Sequence, residues 1–104
     1  MKLITMKILA AHIVEIKQLC LRHKVKHLYA FGSILTDRFT KDSDIDLMVD
    51  FEPIPLLDYA DNYFDLMFSL EDLLQRPIDL LEVQAVNNPY FAENVYSTRQ
   101  LIYG

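Results

Sequence analysis

Cysteine, glycine and long apolar runs are scarce in this sequence. Its one cysteine, Cys20, cannot form a disulfide within the chain, and it falls on an apolar helical face, which indicates a buried thiol in a reducing compartment. No stretch approaches the roughly 20 apolar residues needed to span a bilayer. Lys7 interrupts the apolar N-terminal run, so that run predicts an amphipathic helix rather than a signal peptide. We therefore expect a cytoplasmic protein that does not contact a membrane.

Basic residues are also few. The chain has 10 Lys and Arg against 15 Asp and Glu, a net charge of −5 at pH 7. A general nucleic-acid binder uses Lys and Arg to displace counterions from phosphates, so direct nucleic-acid binding is not expected. The excess of carboxylates suits a chain that collects metal ions or meets a basic partner. One basic cluster, over residues 22–26, either complements the end of a helix dipole or forms a docking patch.

The hydrophobic pattern predicts a single domain over residues 1–104 in the α/β (α+β) class. Helical spacing and period-two alternation indicate a small mixed β-sheet backed by helices. Asn88 and Pro89 supply an N-cap and a first-turn proline for the last helix. The predicted elements are a helix from Leu9, strand 27–31, a short helix or loop over 34–42, strand 44–51, helix 56–76, strand 78–83 and a last helix that continues to Gly104.

A turn at Gly32 and Ser33 follows the first predicted strand. A strand that ends in Gly-Ser and turns into a short helix directs several backbone N–H groups and a hydroxyl at one point, which is a common way to hold phosphate. Gly32 lets the backbone approach a ligand closely, and Ser33 provides the hydroxyl. A Gly-Ser turn alone is only a weak sign of a phosphate site, and the acidic residues that come after it are more specific.

Asp44 and Asp46 stand at positions i and i+2 of the next strand and so share one face of it. Two unit charges about 6 Å apart repel by roughly 3 kcal/mol at an effective dielectric near 20, and a cation between them removes this cost. Hard Mg²⁺ prefers carboxylate and phosphate oxygens. Asp79 lies in an apolar strand, where a carboxylate is costly unless it serves a site. Two metal ions bridged by such carboxylates suit phosphoryl transfer.

These residues resemble the signature of the DNA polymerase β-type nucleotidyltransferases. Gly32-Ser33, nine intervening residues and then Ser43-Asp44-Ile45-Asp46-Leu47 follow that pattern, and the chain length resembles the minimal nucleotidyltransferases (MNT proteins) of prokaryotes. The resemblance implies a nucleotidyltransferase fold and two Mg²⁺ ions held by Asp44 and Asp46, with Asp79 completing one metal site near the attacking hydroxyl. It also implies that Gly32, Ser33 and Ser43 bind the nucleoside triphosphate.

One departure from the family pattern lies between these motifs. Relatives usually carry a small residue and then Arg-Gly, whereas this chain has Leu35-Thr36-Asp37. Asp37 at the position of the glycine is expected to change the loop geometry and the affinity for the nucleotide. Arg38, one position further on, could supply the missing cation.

The resemblance also implies a partner. Minimal nucleotidyltransferases are commonly paired with helical HEPN proteins, and the transferase then resembles an antitoxin that transfers AMP from ATP to its toxin. Two other functions stay open: a binding antitoxin with inactive catalytic residues, and a transferase that modifies a small molecule, as similar antibiotic nucleotidyltransferases do. The small size, which leaves no room for a second substrate-binding domain, counts against the small-molecule function. The oligomeric state, including a homo-oligomer, stays open as well.

Overall fold

A computed structural model describes residues 7–36, 38–85 and 88–104 of the protein. Asp37, at which the loop departs from the family pattern, lies outside these residues. Short 3-10 turns at Gly32–Leu35 and Val83–Ala85 follow two of the strands. The helices are α1 (Lys7–Ala11), α2 (Ile13–Arg22), α3 (Leu56–Leu74) and α4 (Pro89–Thr98), and the strands are β1 (Val25–Phe31), β2 (Ile45–Phe51), β3 (Ile78–Glu82) and β4 (Gln100–Tyr103).

The strands form a sheet of order β3-β2-β1-β4. β1 is antiparallel to both β2 and β4, whereas β2 and β3 are parallel. A parallel pair needs a long crossover connection, and α3 provides it. The predicted class, a small mixed sheet backed by helices, is confirmed.

One face of the sheet packs against the first three helices. Ile45, Leu47 and Val49 of β2 alternate onto this face, and each is at most 1% exposed. The helices contribute buried side chains at helical spacing, because each turns one apolar stripe toward the sheet. Cys20 belongs to this core, and burial raises the pKa of its thiol to about 12, so the predicted buried thiol is confirmed. The helical residues of this core are Leu9, Ile16, Cys20, Leu66, Leu70 and Leu74.

The opposite face is partly covered by α4. Val95 packs there with Phe31 of β1 and Met48 of β2, and Leu81 and Val83 lie against this group. The side chain of Asn88 accepts hydrogen bonds from two backbone N–H groups in the first turn of α4, which confirms the predicted N-cap. Leu81 and Val83 share a face with Asp79 and therefore need apolar cover, and a helix of the same chain supplies it.

The predicted continuation of the last helix to Gly104 is wrong. The helix ends at Thr98, and Arg99 adopts an extended conformation, with φ −59° and ψ 149°. β4 follows and pairs with β1, with Tyr29 opposite Leu101 and Ala30 opposite Gln100. Helical spacing continues by chance as far as Ile102, but the free edge of β1 offers unpaired backbone groups that this apolar segment satisfies.

One member of the basic cluster at the end of α2 is buried, whereas Arg22, Lys24 and Lys26 are exposed. His23 is only 4% exposed, with its Nε2 2.6 Å from the Asp65 carboxylate and its Nδ1 2.7 Å from the carbonyl of Leu19. This histidine therefore joins the end of α2 to α3 and contributes little to a docking patch. Within the described residues, no helix is both long enough and apolar enough to cross a membrane.

Candidate active site

The Gly-Ser turn begins immediately where β1 ends. Gly32 has a φ of +76°, a left-handed conformation that side chains rarely adopt. A Cβ at this position would also collide with Oδ2 of Asp46. Both constraints require glycine at this position. The second one arises because the turn lies in direct contact with the Asp46 side chain of β2.

Gly32→Ala is expected to destabilise the fold by about 1–3 kcal/mol, because it forces an unfavourable φ and displaces the Asp46 carboxylate. The free energy of unfolding in urea measures this effect. Ser33→Ala, in the same turn, is the matched control and should change stability much less. Wild-type stability of Gly32→Ala would contradict the close approach described above.

The carboxylates of Asp46 and Asp79 come from neighbouring parallel strands. The two residues are register partners in the sheet, and Asp44 lies one residue before β2. Burial, the nearby carboxylates of Asp79 and Asp44, and a hydrogen bond to Asp79 raise the pKa of Asp46 to about 6. The acids predicted from the sequence therefore interact around Asp46, on the face of the sheet that α4 partly covers.

These residues fit a hard divalent cation. Burial first, and then repulsion from the neighbouring carboxylates, raises the pKa of Asp46, and a bound cation would stabilise the ionised carboxylates. Asp44 and Asp79 are exposed, so their side chains have space to reorient toward an ion. In the described part of the chain, no three His, Cys, Asp or Glu side chains already stand together as a metal site, so such reorientation is required.

A cavity of about 600 Å³ opens beside the Gly-Ser turn. This volume lies within the range of small-molecule sites. The C-terminal half of α4 forms its other wall, which could not be predicted from the sequence because it depends on where α4 packs against the sheet. The lining residues are Gly32, Ser33, Leu35, Thr36, Arg38, Asn94, Ser97 and Thr98.

Ser43 lies outside the lining of this cavity and organises the loop that precedes β2. Its hydroxyl accepts a hydrogen bond from the backbone N–H of Thr40 at 3.0 Å. Arg76, which the sequence analysis did not identify, donates to the carbonyls of Thr40 and Ser43 at 2.7 and 3.0 Å. Both residues thus hold the turn that presents Asp44, and direct contact between Ser43 and a nucleotide stays a prediction.

A second cavity, of about 680 Å³, lies beside β4. Lys17, Lys24 and Lys26 line it together with Glu52 and mostly apolar residues. The Gly-Ser turn, which lies against Asp46, lines the cavity beside Gly32 and not this second cavity, so the cavity beside Gly32 is the better candidate for the active site.

Two relatives share much of the chain. A protein from Methanocaldococcus jannaschii, provisionally named a protein adenylyltransferase, is 36% identical over 86% of this chain and 85% of its own length. The protein adenylyltransferase MntA of Thermococcus cleftensis is 38% identical over 71% of this chain and 72% of its own length.

Solved structures share the fold. A structure provisionally described as a minimal nucleotidyltransferase superposes with a TM-score of 0.73 and 29% identity, covering 88% of this chain and 90% of the other. A complex of a tri-AMPylated HEPN toxin from Shewanella oneidensis with an MNT antitoxin gives a TM-score of 0.62 at 18% identity, covering 91% and 71%. The family model "Polymerase beta, Nucleotidyltransferase" matches residues 14–104. The chain therefore belongs to the polymerase β-type nucleotidyltransferase family.

Proposed function

We propose that this chain is a protein adenylyltransferase that moves AMP from ATP to a hydroxyl of a HEPN-type partner protein and acts as the antitoxin of that pair. The observation that carries the proposal is the pairing of Asp46 with Asp79 directly beside Gly32, on a chain of this family. The names of the relatives support protein as the acceptor class. A cytoplasmic location belongs to the same proposal, since an antitoxin meets its toxin there.

Asp44, Asp46 and Asp79 would hold two Mg²⁺ ions, in keeping with the general use of divalent metals by nucleotidyltransferases. Bound metal would stabilise negative charge on the attacking and leaving oxygens. Gly32 and Ser33 hold the triphosphate with backbone N–H groups and a hydroxyl. Ser43 is proposed to assist through the loop that it orders.

Transfer breaks the phosphoanhydride bond between the α- and β-phosphates of ATP and forms a phosphoester bond between the α-phosphate and the acceptor. The acceptor oxygen forms a bond to the α-phosphorus, the bond from that phosphorus to the oxygen bridging to the β-phosphate breaks, and pyrophosphate leaves. Asp79, at the exposed side of the pair, takes the proton of the acceptor hydroxyl as a general base.

A binding-only antitoxin is the second candidate, and Asp37 favours it. An acidic residue in place of the family's glycine adds negative charge to the segment that follows the proposed triphosphate site, which disfavours nucleotide binding. Such a protein would still bind its partner but would transfer nothing to it. Turnover of ATP therefore separates the two functions.

The test is mass spectrometry of the protein that co-purifies with this chain from its native host, after incubation of the complex with ATP and Mg²⁺. The expected result is a mass increase of one or more AMP groups on the partner. Reactions without divalent metal, or with Asp46→Asn, are the matched controls and should give no increase. An unmodified partner in an intact complex would favour the binding-only antitoxin.

A further inference from the structure

The cavity beside the Gly-Ser turn has two unlike walls. One wall is the turn itself and the segment that follows it, which contributes Thr36 and Arg38. The other wall is α4, which contributes Asn94, Ser97 and Thr98. A nucleotide has a charged end and a planar, neutral end, and these two walls offer different chemistry to each.

Thr36 connects Arg38 to the turn. The Thr36 hydroxyl donates to the carbonyl of Ser33 at 2.9 Å and accepts from the backbone N–H of Arg38 at 3.1 Å. The backbone N–H of Thr36 also donates to the Ser33 carbonyl at 2.9 Å. These hydrogen bonds fix the position of the Arg38 backbone relative to the Gly-Ser turn, whereas the Arg38 side chain is exposed.

Charge makes this position significant. A triphosphate together with three carboxylates carries more negative charge than two Mg²⁺ ions neutralise, so a further cationic group close by favours its binding. Arg38 is the one basic residue among those that line the cavity in the described part of the chain. The planar guanidinium can donate two parallel hydrogen bonds to phosphate oxygens, which an ammonium group cannot reproduce.

The α4 wall offers an amide. The hydroxyls of Ser97 and Thr98 donate hydrogen bonds to the backbone carbonyl of Asn94 at 3.0 and 2.7 Å. Their protons are therefore used within α4 and are not offered to a ligand. The Asn94 side chain has both a donor and an acceptor, and an amide of this kind can pair with adenine through both. Asn94 is thus the residue of this wall best suited to recognise a base.

We propose that Arg38 binds the phosphates of the nucleotide, that Thr36 positions Arg38, and that Asn94 selects adenine from the opposite wall. This inference rests on the proposed function and extends it to three residues of the nucleotide site.

Calorimetric titration with ATP and with adenosine, both in Mg²⁺, tests the phosphate contact. Arg38→Ala should weaken ATP binding at least about tenfold, or 1.4 kcal/mol, and leave adenosine binding unchanged. Lys41→Ala, in the same loop but outside the cavity lining, is the matched control and should bind both as wild type does. Thr36→Val should weaken ATP binding by a smaller factor, and Thr36→Ser should restore it.

Competition between ATP and CTP tests the base contact. Asn94→Ala should lower the preference for ATP over CTP at least about fivefold, whereas the neighbouring control Glu93→Ala should not change it. Wild-type protein that binds no ATP would overturn the proposed function and this inference together. Wild-type protein that binds ATP, with Arg38→Ala and Asn94→Ala behaving like their controls, would overturn this inference alone.

Discussion

Asp46→Asn is expected to lower AMP transfer by at least about a hundredfold while the chain stays folded. A metal ion contributes several kcal/mol of charge stabilisation in the transition state, and Asp46 is central to its proposed carboxylates. Asp44→Asn should have a similar effect. Single-turnover transfer to the partner, followed by mass spectrometry, measures the loss.

The same substitution should slightly stabilise the metal-free protein at neutral pH. Burial and two neighbouring carboxylates raise the pKa of Asp46 from 3.8 to about 6, so the folded state holds this proton more tightly than the unfolded state does. Stability therefore falls as pH rises from about 4 to about 6, and ionised Asp46 costs the folded protein free energy above that range. Because the carboxyl is partly solvated, screening reduces this cost to about 1 kcal/mol.

Asp46→Asn removes this cost, so the advantage of the variant over wild type should appear above pH 6 and vanish near pH 4 in urea unfolding without metal. Asp50→Asn, on the same strand but paired with His27, is a suitable comparison. A variant of Asp44 or Asp46 that fails to fold would show that these aspartates are structural.

Asp79→Ala should lose most transfer activity and keep ATP binding within about tenfold of wild type. Asp79 is proposed to act as a base and as a ligand of one metal only, so turnover should depend on it more than binding does. The register supports this role, because Asp79 lies opposite Asp46. Ten-fold in affinity corresponds to about 1.4 kcal/mol.

Glu82→Ala is the matched control on the same strand. Glu82 lies opposite Val49, three residues beyond Asp79, and lines a cavity with Tyr59 and Tyr63 of α3. It should therefore leave transfer nearly unchanged. The reverse result, with Glu82→Ala inactive and Asp79→Ala active, would contradict the assignment of Asp79 as base.

Local patterns in the sequence predicted much of the framework. The alternation of Ile45, Leu47 and Val49 gave the correct inward face of β2, because side chains of a strand alternate regardless of what they pack against. The Asn88 cap was predictable for a similar reason, since its partners are the backbone N–H groups of Tyr90 and Phe91. Elements whose stabilising contacts lie within a few residues can be inferred from the sequence alone.

Contacts between distant segments determined the parts of the fold and of the site that local patterns did not predict. β4 exists because the edge of β1 is available to pair with it, and nothing within 100–103 distinguishes that outcome from a continued helix. The approach of Asp79 to Asp46 depends on the register of two strands joined by a helix, and the second wall of the cavity depends on where α4 packs. The sequence alone therefore indicated the acids and the turn that are proposed to carry the chemistry. The tertiary structure determined how they meet, because sheet register and helix packing are set by contacts between residues far apart in the chain.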